Sequence, residues 1–126
     1  MSAGLTVLTV DDSRTMRDMV AFTLSSAGYA VAEAEDGEDA LRVLAGRRVD
    51  LVIADLNMPR MDGLSLIRAI RAGSAGDALR AVPILMLTTE SDAARKQEGR
   101  EAGATGWIVK PFDPDRLVQV VRRVCG

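Results

Sequence analysis

The sequence predicts an α/β domain: a doubly wound, five-stranded parallel sheet with helices on both faces. Three observations predict it. Short apolar runs alternate with helical patterns along all 126 residues. Three of those runs are almost continuously apolar, as strands covered on both sides must be. No repeat or low-complexity linker divides the chain, so its length corresponds to one domain, residues 1–126, with no effector domain expected.

The strands are predicted at Leu5–Val10, Ala30–Ala34, Leu51–Ala54, Pro83–Leu87 and Gly106–Val109. Helical spacing predicts the intervening elements at Arg14–Ala27, Glu38–Ala45, Leu64–Ala72, Asp92–Ala102 and Pro114–Val124. The last is the most sharply patterned, because Leu117, Val120, Val121 and Val124 share one face. Asp113 is its N-cap and Pro114 opens its first turn; Asp36 precedes the second helix in the same way. Gly28 and Gly103 stand where the first and fourth helices must stop. The fourth helix has Ala93, Ala94 and Ala102 but no large apolar residue, and Gly99 interrupts it, so weak anchoring is expected. Ala72–Val82, with Gly73, Ser74 and Gly76, is read as an extended loop or an extra turn. Five β-α units in succession require right-handed crossovers.

Composition narrows the function. The chain is 48% hydrophobic and 27% charged, with 16 basic against 18 acidic residues, a formal charge of −2. There is no basic stripe with interleaved aromatics, so no nucleic-acid partner is expected. No apolar run approaches the roughly 18 residues of a membrane span, and residues 1–5 have no leader pattern. The single cysteine, Cys125, has no partner for an internal disulfide and reads as a small helix-end residue. A cytoplasmic, monomeric protein is expected.

In a sheet of this kind, ligand chemistry sits at the carboxyl ends of the strands. Asp11 and Asp12 follow the first strand, Asp55 ends the third, Thr88 the fourth and Lys110 the fifth. Every candidate polar group thus falls on one edge, which argues for a single pocket. Three carboxylates converging at about 5 Å would repel by roughly 3 kcal/mol per ionised pair at an effective dielectric of 20. Either one keeps its proton or a cation binds, and an all-oxygen set suits Mg²⁺ or Mn²⁺. With no histidine and one remote cysteine, zinc has almost no ligands.

The runs V-D-D-S at Val10–Ser13, A-D-L-N-M-P-R-M-D-G at Ala54–Gly63, M-L-T-T-E at Met86–Glu90 and K-P-F at Lys110–Phe112 together resemble the bacterial response-regulator receiver family, nearest to chemotaxis regulators of the CheY type. The resemblance covers essentially the whole chain. It implies the flavodoxin-like strand order 2-1-3-4-5. It also implies that Asp55 is the phosphoryl acceptor and that Asp11, Asp12, Asp55 and the backbone carbonyl of Asn57 surround Mg²⁺, with Mn²⁺ as a substitute. Thr88 and Lys110 complete the pocket.

Further roles follow from the same resemblance. Asn57 and Glu90 border the acyl phosphate and tune its hydrolysis, and Thr88 with Trp107 forms the switch. Trp107 departs from the Tyr or Phe usual there. The Lys110–Pro111 peptide is expected to be cis. The phosphate is expected from the phosphohistidine of a CheA-like sensor histidine kinase, and the output from docking onto a partner such as a flagellar motor switch protein. The chain would catalyse its own phosphorylation and slow self-dephosphorylation without being an enzyme toward other substrates.

Rival readings are a phosphorelay intermediate or a phosphate sink. A Mg²⁺-dependent phosphatase of the haloacid dehalogenase class would need a second aspartate two positions after the acceptor, where this chain has Asn57. Flavin binding is weaker still, since the first β-α loop has no run of hydroxyls and glycines to cradle phosphate.

Overall fold

The computed structural model describes residues 4–56, 58, 61–89 and 93–125. Five strands, β1 (Thr6–Val10), β2 (Ala30–Ala34), β3 (Leu51–Asp55), β4 (Ile84–Thr89) and β5 (Gly106–Lys110), form one parallel sheet in the order β2-β1-β3-β4-β5. Five helices alternate with them: α1 (Arg14–Ser26), α2 (Gly37–Gly46), α3 (Gly63–Arg71), α4 (Ala93–Ala102) and α5 (Pro114–Cys125). The predicted class and order are thereby found. Strands β3, β4 and β5 run one or two residues further than the apolar pattern marked, carrying Asp55, Thr88 and Lys110 as strand residues.

The two-residue period of each strand sorts the core into two layers. Val7, Leu51, Ile53, Leu85 and Leu87 face α1 and α5, where they meet Val20, Leu24, Leu117 and Val121. Leu8, Val10, Val52, Ala54, Ile84 and Met86 face the other way, toward Ala40 and Leu44 of α2 and Leu64, Ile67 and Ile70 of α3. Every residue of β3 is buried, as a central strand between two helical layers requires. Each fully buried Leu or Ile side chain contributes about 1.5–3 kcal/mol.

Side-chain caps start the helices. Ser13 accepts from the Met16 amide at 3.2 Å, Asp36 from Asp39 at 2.9 Å, Asp62 from Ser65 at 2.8 Å and Asp113 from Asp115 at 3.1 Å. Gly28 and Gly103 have φ of 98° and 112°, the left-handed conformation that ends α1 and α4. The Lys110–Pro111 peptide is cis. Burial pushes the Cys125 thiol up and Asp50 adds to the effect, so its reactive thiolate is disfavoured.

Gly99 proves to be more than an interruption of α4. It is buried, and its missing side chain lets the helix approach Met86 of β4. The stretch after α3 contains one 3₁₀ turn, Asp77–Leu79, and is tied down by Arg71. That guanidinium donates to the carbonyl oxygens of Arg80 at 2.8 Å, Val82 at 2.6 Å and Gly103 at 2.8 and 3.0 Å. One side chain therefore joins the end of α3, the extended loop and the turn after α4.

Candidate functional site

The carboxyl edge of the sheet brings together Asp11, Asp12, Asp55, Thr88 and Lys110. Asp11 directly follows β1; Asp55 and Lys110 are the last residues of β3 and β5. In the sheet register Asp55 pairs with Leu87, so Thr88 lies one residue further out on β4. Asp11, Asp55 and Thr88 are buried, whereas Asp12 is exposed.

Each of the three aspartates offers a carboxylate oxygen within 4.8 Å of the other two. Lys110 Nζ stands 2.9 Å from Asp55 Oδ2 and 3.7 Å from Asp11 Oδ2. Asp11 Oδ1 accepts from the Ser13 amide at 2.9 Å, while Oδ2 is buried without a hydrogen-bond partner. Burial pushes the Asp11 carboxyl up to about 6; the Ser13 amide opposes this, Asp55 adds to it, Lys110 opposes it and Asp12 adds again. A single lysine does not discharge three carboxylates, and an unbonded buried oxygen is costly. An all-oxygen set containing such an atom fits a hard divalent cation.

Asn57 and Glu90 lie outside the described residues. Trp107 of β5 is half-buried, with Lys96 Nζ 5.7 Å and Arg100 Cζ 5.1 Å from its ring centre. Both cations come from α4, so cation–π contacts join that helix to β5.

Two contacts at the site escaped the sequence reading. A Cβ on Gly63 would lie 2.5 Å from the Asp55 carbonyl oxygen and 3.0 Å from Leu56 Cα, so α3 starts against the backbone of the candidate acceptor. Arg17 of α1 donates to the Asp11 carbonyl oxygen at 2.6 Å. The sequence hint for Gly63 is its place at the end of the A-D-L-N-M-P-R-M-D-G run; for Arg17 it is only proximity to the acidic pair.

With this arrangement in view, comparison with known proteins is decisive: residues 7–122 match the family model described as the response regulator receiver domain. The chain belongs to that family. The receiver is 40% identical over 116 residues to response regulator MprA of Mycobacterium sp. strain KMS, a match covering 92% of this chain and 48% of MprA. It thus spans about half the length of the curated relatives it matches. Among solved structures it is similar to chemotaxis protein CheY4 of Vibrio cholerae, with 48% identity, a TM-score of 0.89 and coverage of 97% of this chain and 99% of that one. It is also similar to the receiver domain of sensor histidine kinase PA1611 from Pseudomonas aeruginosa PAO1, with 31% identity, a TM-score of 0.88 and coverage of 98% and 99%. That receiver was solved with a magnesium ion coordinated in its active site cleft. The receiver described here is therefore a phosphoryl-accepting module of two-component signalling. No helix among its described residues is long and apolar enough to cross a membrane.

Proposed function

We propose that Asp55 accepts the phosphoryl group, that Asp11, Asp12 and Asp55 with the backbone carbonyl of Asn57 hold Mg²⁺ or Mn²⁺, and that the receiver acts as a response regulator of the chemotaxis type. The carrying observation is the 2.9 Å contact of Lys110 Nζ with Asp55 Oδ2 inside a triad of carboxylates. Asp55 is the carboxylate that a fixed cation grips most closely.

Transfer from a CheA-like kinase breaks the P–N bond of its phosphohistidine and forms a P–O bond to an Asp55 carboxylate oxygen, with the imidazole nitrogen leaving and taking up a proton from solvent. Lys110 holds Asp55 in place, and the Thr88 hydroxyl one residue further along β4 donates to a phosphoryl oxygen. The divalent cation, when bound, offsets negative charge on the transferring oxygens. Burial of Asp11 and Asp55 limits the water that could compete as an acceptor. Asn57 and Glu90 tune the slow hydrolysis of the acyl phosphate.

Likeness to CheY4 over almost all of that chain supports a chemotaxis output, such as docking of a cytoplasmic monomer onto a flagellar motor switch protein. The match to half of MprA favours a second reading, a receiver controlling a separate output module. A phosphate sink or relay intermediate is a third use of the same site. The test is labelling by acetyl phosphate followed by intact mass. One added phosphoryl group is expected with Mg²⁺ and none in excess chelator; unchanged labelling of Asp55→Asn would overturn the assignment. Phosphotransfer profiling against purified kinases then separates the outputs, since a relay passes phosphate to a second histidine protein and a motor regulator does not.

A further inference from the structure

Arg17 is tucked against the acidic edge, its side chain only 15% exposed. Its guanidinium forks: Nη1 donates to the Asp11 carbonyl oxygen at 2.6 Å, and Nε faces Glu33 Oε1 of β2 at 3.4 Å. We propose that Arg17 is a positioning residue for the cation site, gripping the Asp11–Asp12 peptide so that both carboxylates are presented together. This rests on the metal-binding reading proposed above.

The backbone makes the case. Asp11 is held on three sides: its amide donates to Ala34 O at 3.1 Å, its Oδ1 accepts from the Ser13 amide at 2.9 Å, and its carbonyl accepts from Arg17. Asp12 is exposed, and among the described residues no hydrogen bond or ion pair fixes its carboxylate. The direction in which Asp12 projects is therefore set by its main chain, and the peptide preceding it is the one that Arg17 holds. Glu33 steadies Arg17 from a strand whose register is fixed by pairing with β1, where Thr9 lies opposite Glu33. Partners that orient metal ligands typically matter by about 10–100-fold in affinity.

The alternative is that Arg17 acts only through its charge, and the two ideas differ in sign. Replacing Arg17 by Met leaves Glu33 and makes the edge more negative by one charge. A charge effect alone would then tighten Mg²⁺, whereas loss of positioning loosens it.

The experiment is Mg²⁺ titration of the purified receiver by calorimetry, with metal-free thermal midpoints measured in parallel. Arg17→Met is expected to weaken Mg²⁺ about tenfold. Arg17→Met combined with Glu33→Gln, which restores the net charge, should remain weak. Tighter binding by Arg17→Met, or wild-type affinity in the double variant, overturns the proposal. So does a lowered midpoint with unchanged affinity, which would make Arg17 a packing residue. Should Arg17→Met not fold, Arg17→Lys decides: it keeps the charge but lacks the rigid planar fork that reaches Asp11 O and Glu33 through separate nitrogens, so several-fold weaker binding is expected and unchanged affinity overturns the idea. An Asp12→Asn control that binds Mg²⁺ like wild type would sink the site itself, separately from Arg17.

Discussion

Gly63 and Asp55 are in backbone contact: a Cβ at the first residue of α3 would lie 2.5 Å from the Asp55 carbonyl oxygen. The atoms in the way are main chain in the central strand and cannot swing aside. Gly63→Ala must therefore push α3 outward or bend the end of β3. A loss of about 1–3 kcal/mol in unfolding free energy is expected, read from the denaturant midpoint. Acetyl phosphate labelling should slow as well, because the strain falls on Asp55; an unchanged midpoint and rate would show that the helix relocates without effect.

Clustering the carboxylates opposes folding when no cation is present. At 4.8 Å and an effective dielectric of 20, a like-charged pair costs about 3 kcal/mol. Exposure of Asp12 to solvent screens its share, leaving about 1 kcal/mol. Asp12→Asn should therefore raise the metal-free denaturant midpoint while weakening Mg²⁺ binding. A lower metal-free midpoint contradicts the repulsion argument.

Asp11 gives the metal-free protein a pH dependence of unusual sign. Its folded pKa, about 6, lies above the ordinary 3.8, so the folded state retains a proton that the unfolded chain has released. Stability from this group is full below about pH 4, falls as pH rises between roughly 4 and 6, and is gone above that, an effect of up to about 3 kcal/mol. In excess chelator, the difference in midpoint between wild type and Asp11→Asn should change across that window. A difference independent of pH would mean that Asp11 is ionised throughout.

How much of this was legible beforehand can be judged residue by residue. Asp11, Asp55, Thr88 and Lys110 could be placed because a parallel sheet sends its strand ends to one edge, and short motifs mark those ends. Gly99 was misjudged: helix propensity sees only a weak residue, whereas its role is contact with Met86, which lies 13 positions away in the sequence. Arg17 and Arg71 donate to backbone carbonyls, and a carbonyl has no sequence signature. The extended loop is legible from Gly73, Ser74 and Gly76; its attachment through Arg71 is not.

Trp107 offers an optical test of whether phosphorylation moves α4. With Lys96 and Arg100 of α4 against its ring, any resettling of that helix alters the indole's surroundings. Its emission should change with a beryllofluoride mimic, and Arg100→Met should shrink the change. A partner preferring the active form tenfold needs a differential of only about 1.4 kcal/mol. Amide perturbations are expected between Thr88 and Val121; if they gather instead around Met16 to Leu24, the face that responds to phosphorylation is on the α1 side.

The Arg71 guanidinium has a consequence for chain length. Residues 73–82 carry none of the chemistry, yet the carbonyls of Arg80 and Val82 share one donor group with that of Gly103. The spacing is thereby locked, because each residue deleted moves those carbonyls by up to about 3.5 Å. A graft that trims this segment would take the Arg80 and Val82 acceptors away from the Arg71 guanidinium and leave it held by the Gly103 carbonyl alone. Shortening the loop and replacing Arg71 are thus one design step, and the segment, idle in the reaction, is a spacer cut to measure.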